Sequence, residues 1–175
     1  MSPAIFFVNL LLFQVGWFAG VLGAAQGLSW AGVAAAAGVA AWHLWKAHRP
    51  WRELKLLVLA MAVGAAFDTA LVQLGWLRFD AGVLASGTAP LWMVALWSNF
   101  ATTLNVSLRA LRERLLLAVV LGAIGAPLAY YAGSRIGAVG FGEPAMVLAA
   151  IAAGWAIMTP LLFLAARRFD GYAPR

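Results

Sequence analysis

One carboxylate stands apart from the other charges of this chain. Asp68 lies between Phe67 and Thr69 inside a long apolar run, and Arg78 marks the end of that run. Ten residues of helix are about 15 Å, which places Asp68 near the middle of a bilayer core of ~30 Å. An ionised carboxylate costs about 2.5–3.5 kcal/mol at that depth on insertion scales. No Lys or Arg lies at comparable depth, so Asp68 is expected to be protonated or strongly hydrogen-bonded, and to face the bundle interior. Such a group can hold the polar head of a ligand or move a proton. Gln14, Asn99 and Thr103 reach similar depth in other runs, and Trp92, Asn99 and Thr103 share one helix face at i, i+7 and i+11. The expected site is a polar pocket of Asp68, Asn99, Gln14 and Thr103 walled by Trp92, Trp97 and Trp17. The competing reading of each amide or hydroxyl is a bond between neighbouring helices, at ~0.6 kcal/mol.

Other chemistries lack their residues. There is no Cys, which removes thiol chemistry and leaves the redox compartment open. His43 and His48 are five apart beside Lys46 and Arg49, without an acidic cluster, a poor set for a metal. No metal and no cofactor is expected. No Gly-rich loop precedes a Lys, and Ser86, Ser98, Ser107 and Ser134 have no evident base. Tyr130 and Tyr131 read as interfacial residues, as do Trp30, Trp42, Trp45, Trp51 and Trp76; the alternative for the tyrosines is that one brings its hydroxyl to the pocket.

The elements that must position these groups follow from composition. The chain has 175 residues, 65% apolar, and only 10% charged; an ordinary soluble domain is about 25% charged. A soluble fold and a disordered chain are both excluded, which leaves an integral membrane protein. Charges cut the chain into six continuously apolar runs, at about 4–24, 28–45, 54–77, 89–106, 115–133 and 145–166. They are helical, because barrel strands would alternate over about ten residues. Gly27 suits a tight turn between the first two runs. Met1–Asn9 holds no basic residue, so run one reads as a retained helix rather than a signal peptide. The fold class is all-α: a single domain, a bundle of six transmembrane helices.

Ten of the twelve basic residues fall after runs two, four and six, among them Lys46, Arg49, Arg109, Arg112, Arg167, Arg168 and Arg175. The positive-inside rule makes that side, and both termini, cytoplasmic. The net charge of +6 reads as headgroup attraction, not nucleic-acid binding, since no recognition module accompanies it. Gly16-x-x-x-Gly20 and Gly133-x-x-x-Gly137 have the spacing of close helix contacts. Pro127 and Pro160 read as kinks.

Asn9, Gln14-x-x-Trp17, Asp68, Pro90-Leu91-Trp92, Leu96-Trp97-x-x-Phe100-Ala101-x-Thr103-Leu104 and Pro127-Leu128-Ala129-Tyr130 with Gly133 and Gly137-Ala138 resemble a family of small bacterial inner-membrane proteins catalogued only as a domain of unknown function. The resemblance covers nearly the whole chain. It implies a bacterial inner-membrane location and, for some members, association with genes of fatty-acyl modification. It brings no catalytic residues. The tryptophan-rich sensory protein and the substrate-binding subunits of vitamin transporters share size alone.

The leading functional expectation is a protein that binds, or assists modification of, a lipid or fatty-acyl molecule in an intramembrane polar pocket. One alternative is an intramembrane lipid-modifying enzyme with Asp68 as acid/base. Another is a small substrate-binding or proton-linked transporter subunit; a scaffold is the fourth. The residues leave open whether the chain is an enzyme. Expected partners are membrane lipids, a lipophilic ligand and a partner membrane protein, with no nucleic acid.

Overall fold

The computed structural model describes residues 3–173; Arg175, one of the ten basic residues grouped above, lies outside them. The described residues form six α-helices: α1 (Pro3–Ala25), α2 (Ser29–Lys46), α3 (Pro50–Gln73), α4 (Leu91–Leu104), α5 (Leu115–Ile136) and α6 (Pro144–Arg168). A 3-10 turn at Arg109–Glu113 joins α4 to α5. Two short strands, β1 (Leu77–Arg78) and β2 (Gly140–Phe141), pair antiparallel with Leu77 opposite Phe141. The pair ties the loop after α3 to the loop after α5, so both lie at one end of the bundle.

Local signals set most boundaries. Pro50 and Pro144 open α3 and α6 at the first helical turn, where a missing N–H costs nothing. The α1–α2 hairpin turns at Gly27, whose φ of 75° is open to glycine. Gly137 ends α5 in the left-handed conformation, φ 94°, so the Gly133-x-x-x-Gly137 spacing is a helix cap and not a contact motif. Gly16-x-x-x-Gly20 is a contact: it meets Asn99 and Leu96 of α4, and a Cβ on Gly32 of α2 would lie 2.5 Å from the Gly20 Cα.

Two boundaries depart from the apolar runs. The third run was expected to reach residue 77, but α3 ends at Gln73 because Leu77 and Arg78 pair with α5's outgoing loop. Asp68 therefore sits five residues, about 8 Å, from the end of α3 and not at its middle. The fourth run was expected over 89–106, but α4 holds only 14 residues, about 21 Å.

Four helices, α1, α3, α5 and α6, are long and apolar enough to cross a membrane. Of the other two, α4 is enclosed, whereas α2 buries only four of its 18 residues. Ten of α4's 14 residues are buried, packed among α1, α2 and α3, with α6 touching it as well. Neighbouring helices, not lipid, set its length. Outward faces carry unbroken apolar stripes: Phe7, Leu11, Val15, Phe18 and Leu22 on α1, and Leu116, Val120, Ile124 and Leu128 on α5, all exposed. Stripes of this extent are uncommon on water-facing surfaces.

Close approach is built with glycine. A Cβ on Gly64 of α3 would collide with the Trp97 indole, and one on Gly122 of α5 would strike the Trp155 carbonyl of α6. Gly38 of α2 faces open space. We expect Gly64→Ala to destabilise the fold by about 1–3 kcal/mol through overpacking. Gly38→Ala should gain up to ~1 kcal/mol from helix propensity. Thermal unfolding in detergent reads both; equal effects would contradict the packing of Trp97 on α3.

Candidate functional site

Asp68 is fully buried and bridges three helices. Its Oδ2 accepts from Trp97 Nε1 of α4 at 2.8 Å, and its Oδ1 accepts from the Tyr130 hydroxyl of α5 at 2.5 Å. Both donors are neutral, and no cation pairs with the carboxylate among the described residues. Trp97 stacks on Trp155 of α6, ring centroids 4.3 Å apart and 24° from parallel. Phe67 and Phe100 close on this pair edge-on. Tyr130, read from the sequence as interfacial, is thus part of the polar centre; Tyr131 is the exposed one.

The other expected residues do not converge on Asp68. Asn99 turns toward α1, where its Nδ2 donates to the Phe13 carbonyl at 2.9 Å. Thr103 donates to the Phe100 carbonyl and Trp92 to the Ala81 carbonyl at 3.1 Å. Gln14 is exposed on α1. The single pocket expected from depth is in fact two features: a satisfied Asp68 bridge inside the bundle, and an apolar cleft on its flank.

The cleft has a volume of about 510 Å³, within the usual ~300–1,000 Å³ of small-molecule sites. It runs between α1 and α5, with α4 and α6 as its floor. On α1 it extends from Leu10 to Val21, about 16 Å parallel to the helix. Gln14, Trp17, Trp92, Trp97 and Thr103 line it, and so do Tyr130, Trp155 and Thr159. Asp68 stands behind Trp97 and Tyr130 and does not line it. Exposed Leu10 and Leu128 form its rim, so it opens sideways. It exists because α1 packs on α2 and α4 while α5 packs on α6, leaving α1 and α5 in slight contact. Small residues keep it open: Gly125, Ala129 and Gly133 follow one another at four-residue spacing along its α5 wall.

Among the described residues, four buried side-chain atoms have no hydrogen-bond partner: Asn99 Oδ1, Arg112 Nε, Trp155 Nε1 and Thr159 Oγ1. Asn99 Oδ1 is pressed against Gly16. Trp155 and Thr159 are cleft residues.

A second polar centre sits at the opposite end from the strand pair. His43 and Glu53 are both fully buried, with Nε2 and Oε2 2.8 Å apart. Glu53 Oε1 accepts from Asn105 Nδ2 at 2.8 Å and from the Gly171 N–H at 2.6 Å. Arg112 donates to Asn105 Oδ1 and to Asp170, each at 2.8 Å, and Arg109 donates to Asp170 at 2.6 Å. The Tyr172 hydroxyl donates to the His43 carbonyl at 2.7 Å. Near α1's start, Asn9 donates to the Thr102 carbonyl and accepts from the Ser107 hydroxyl at 2.7 Å. This network clasps the chain's last described residues to α2, α3 and α4. Burial raises the Asp170 pKa, but the hydrogen bonds and charges of Arg112 and Arg109 outweigh it and hold the carboxyl below its ordinary 3.8. Burial, then the charge of Glu53, raises the Tyr172 phenol.

Sequence reasoning missed Glu53, which reads as a loop charge between Arg52 and Lys55. The available signal was its sign: Glu53, Glu113 and Asp170 are the acids at the basic end, and an acid in the first turn of α3 faces the positive end of the helix dipole.

Two outcomes follow. Asp68→Leu leaves the Trp97 N–H and the Tyr130 hydroxyl unpaired, whereas Asp68→Asn keeps an acceptor for Trp97 and lets the Tyr130 oxygen accept from the amide. Asp68→Leu should therefore cost about 1–3 kcal/mol more, read by unfolding in detergent. Asp170, whose folded pKa is depressed, stabilises the clasp fully above its unfolded value near 3.8. That contribution is lost as pH falls through the lower folded value. Hydrogen exchange at residues 170–173 should rise in acid, and Asp170→Asn should reproduce the rise at neutral pH.

No curated protein and no solved structure matches the chain. Residues 6–161 match the family described as "Protein of unknown function (DUF2878)". With that match spanning most of its length and the Pro90–Leu104 stretch forming its buried central helix, the chain belongs to the DUF2878 family.

Proposed function

We propose that this protein sits in a bacterial inner membrane and binds one lipid or fatty-acyl molecule in the flank cleft between α1 and α5. The observation that carries the reading is the cleft itself: an elongated apolar trough, parallel to the helices, whose rim continues into the exposed apolar stripes of α1 and α5. An acyl chain enters such a trough from the lipid side without crossing water. Interiors are packed to crystal-like density, and a trough walled by Gly125, Ala129 and Gly133 forfeits dispersion contacts unless something fills it.

The proposed topology has all six helices crossing and both termini in the cytoplasm. Its support is the grouping of ends. The segments after α2 and α4 and the chain's tail meet in the His43–Glu53–Asp170 clasp. The segments after α3 and α5 pair as β1 and β2, and Ser29 at the start of α2 lies against Gly82 of the loop after β1. Basic residues concentrate at the clasp end, the bias expected of a cytoplasmic face.

A second reading has one observation behind it. Tyr130 lines the cleft while its hydroxyl is held by Asp68, an arrangement that could pass a proton to or from a bound acyl group were the hydroxyl to turn toward it. On that reading Tyr130→Phe abolishes turnover and keeps binding.

Gly125→Leu tests the binding reading. A Cβ there has only Leu121 near it, at 3.8 Å, so the larger side chain fills the cleft without striking a helix. Native mass spectrometry of protein extracted in mild detergent should show one acyl lipid retained per wild-type chain. Retention should fall about tenfold, ~1.4 kcal/mol, in the variant, with no loss of thermal stability. Equal retention in both proteins would defeat the reading.

A further inference from the structure

The outward face of α1 carries one polar group among apolar ones. Gln14 is the twelfth of α1's 23 residues, the middle of the helix. Its side chain is exposed, and it makes no hydrogen bond among the described residues. A primary amide holds two donors and an acceptor, and hydrocarbon offers none of them a partner. Phe7, Leu11, Val15, Phe18 and Leu22, all exposed, share the face. Phe7, Leu11, Gln14 and Phe18 follow at spacings of four, three and four, close to the 3.5-residue repeat that keeps one helix face against a neighbour along its length.

Several observations say what covers this face. The inner face of α1 is already occupied, because Gly16 and Gly20 meet α4 and α2 within the chain. A cleft occupant can reach Gln14, but none of the five apolar residues beside it lines the cleft. The whole face is matched by a second helix. The amide is also self-complementary. Two copies of the chain share one topology, so a two-fold axis along the membrane normal sets α1 beside α1 in parallel, with both Gln14 side chains at one depth. Each amide then donates an N–H to the oxygen of the other. Like-charge repulsion does not oppose the approach, since no Lys, Arg, Asp or Glu occurs before Lys46. The outward stripe of α5 has neither advantage: it holds only Leu116, Val120, Ile124 and Leu128 and lies between Arg114 and Arg135.

We propose that two copies of this chain associate through α1, with the two Gln14 amides hydrogen-bonded to each other at mid-depth and Phe7, Leu11, Phe18 and Leu22 packed to either side. The inference rests on the membrane placement of α1 and not on what fills the cleft. A polar residue at one position of an apolar repeat fixes register and partner number. Within a membrane it also supplies an attraction that apolar side chains, equally at home against lipid, do not.

The chain has no Cys, so an introduced cysteine reports on its own position alone. Oxidation of whole membranes with copper phenanthroline should link the Leu11→Cys and Phe18→Cys variants as dimers of this chain. Leu116→Cys and Ile124→Cys on α5, also exposed, should stay unlinked. Energy transfer between full chains labelled at an added terminal tag, in phosphatidylcholine vesicles, reads the affinity. Gln14→Leu should weaken association about tenfold, ~1.4 kcal/mol, and Gln14→Asn should keep most of it; a thermal melt establishes that each variant folds. No dimer at Leu11 and Phe18, links only to another protein, or full association by Gln14→Leu overturns the pairing. If Gln14→Leu associates fully but sheds a copurifying acyl lipid, the amide belongs to the cleft occupant and the cleft reading stands. A chain released from membranes by a carbonate wash overturns the membrane placement, and the pairing with it.

Discussion

A carboxylate inside an apolar bundle has no water to solvate it, so the protein must supply every bond it needs. Asp68 meets that constraint with two neutral donors from two other helices. The consequence spreads outward. Trp97 must bring its ring nitrogen to α3, which is possible only because Gly64 lets the indole lie on the α3 backbone. The ring so placed becomes the surface on which Trp155 stacks. Tyr130 ties α5 to the same point. One carboxylate thereby fixes the relative positions of α3, α4 and α5, and through the stacked indoles that of α6.

The fold was largely legible because charge is scarce. Each cluster of Lys and Arg marks a place where the chain leaves apolar surroundings, and Gly27, Pro50, Gly137 and Pro144 punctuate the helices between them. What stayed illegible depends on neighbours. The shortness of α4 reflects its enclosure by other helices, and an apolar run reads the same whether lipid or protein surrounds it. The early end of α3 depends on a strand partner 64 positions away, Phe141 opposite Leu77. Depth along a helix is readable, so Asp68 was found. Direction around the axis is not, so Asn99 and Gln14 were placed with it although one faces α1 and the other lies exposed. Tyr130 and Tyr131 could not be told apart for the converse reason: a Tyr near a helix end usually serves the interface, and only its bond to Asp68 marks Tyr130 as the one that enters the polar centre.

The two ends of the bundle are closed by different means. At the basic end, Glu53 and Asp170 gather donors from the helix junctions and the tail, so these positively charged segments carry their own buried counter-charges. At the other end, backbone pairing of two loops needs no side-chain chemistry. Between these closed ends, α1 and α5 touch only slightly and the seam between them stays open.

That seam explains the distribution of side-chain size on α5. Its outward face carries Leu116, Val120, Ile124 and Leu128, whereas the face toward α1 carries Gly125, Ala129 and Gly133. A helix selected only for stability would place its bulk toward its neighbours, since each buried methylene is worth about 0.8 kcal/mol. Here the bulk points away from α1, and the opposing wall supplies Phe13 and Trp17 at a distance they do not bridge. The missing volume adjoins the side chains of Trp155, Thr159 and Tyr130. A trough with small residues on one wall and aromatic rings on the other has the largely apolar lining common to small-molecule sites.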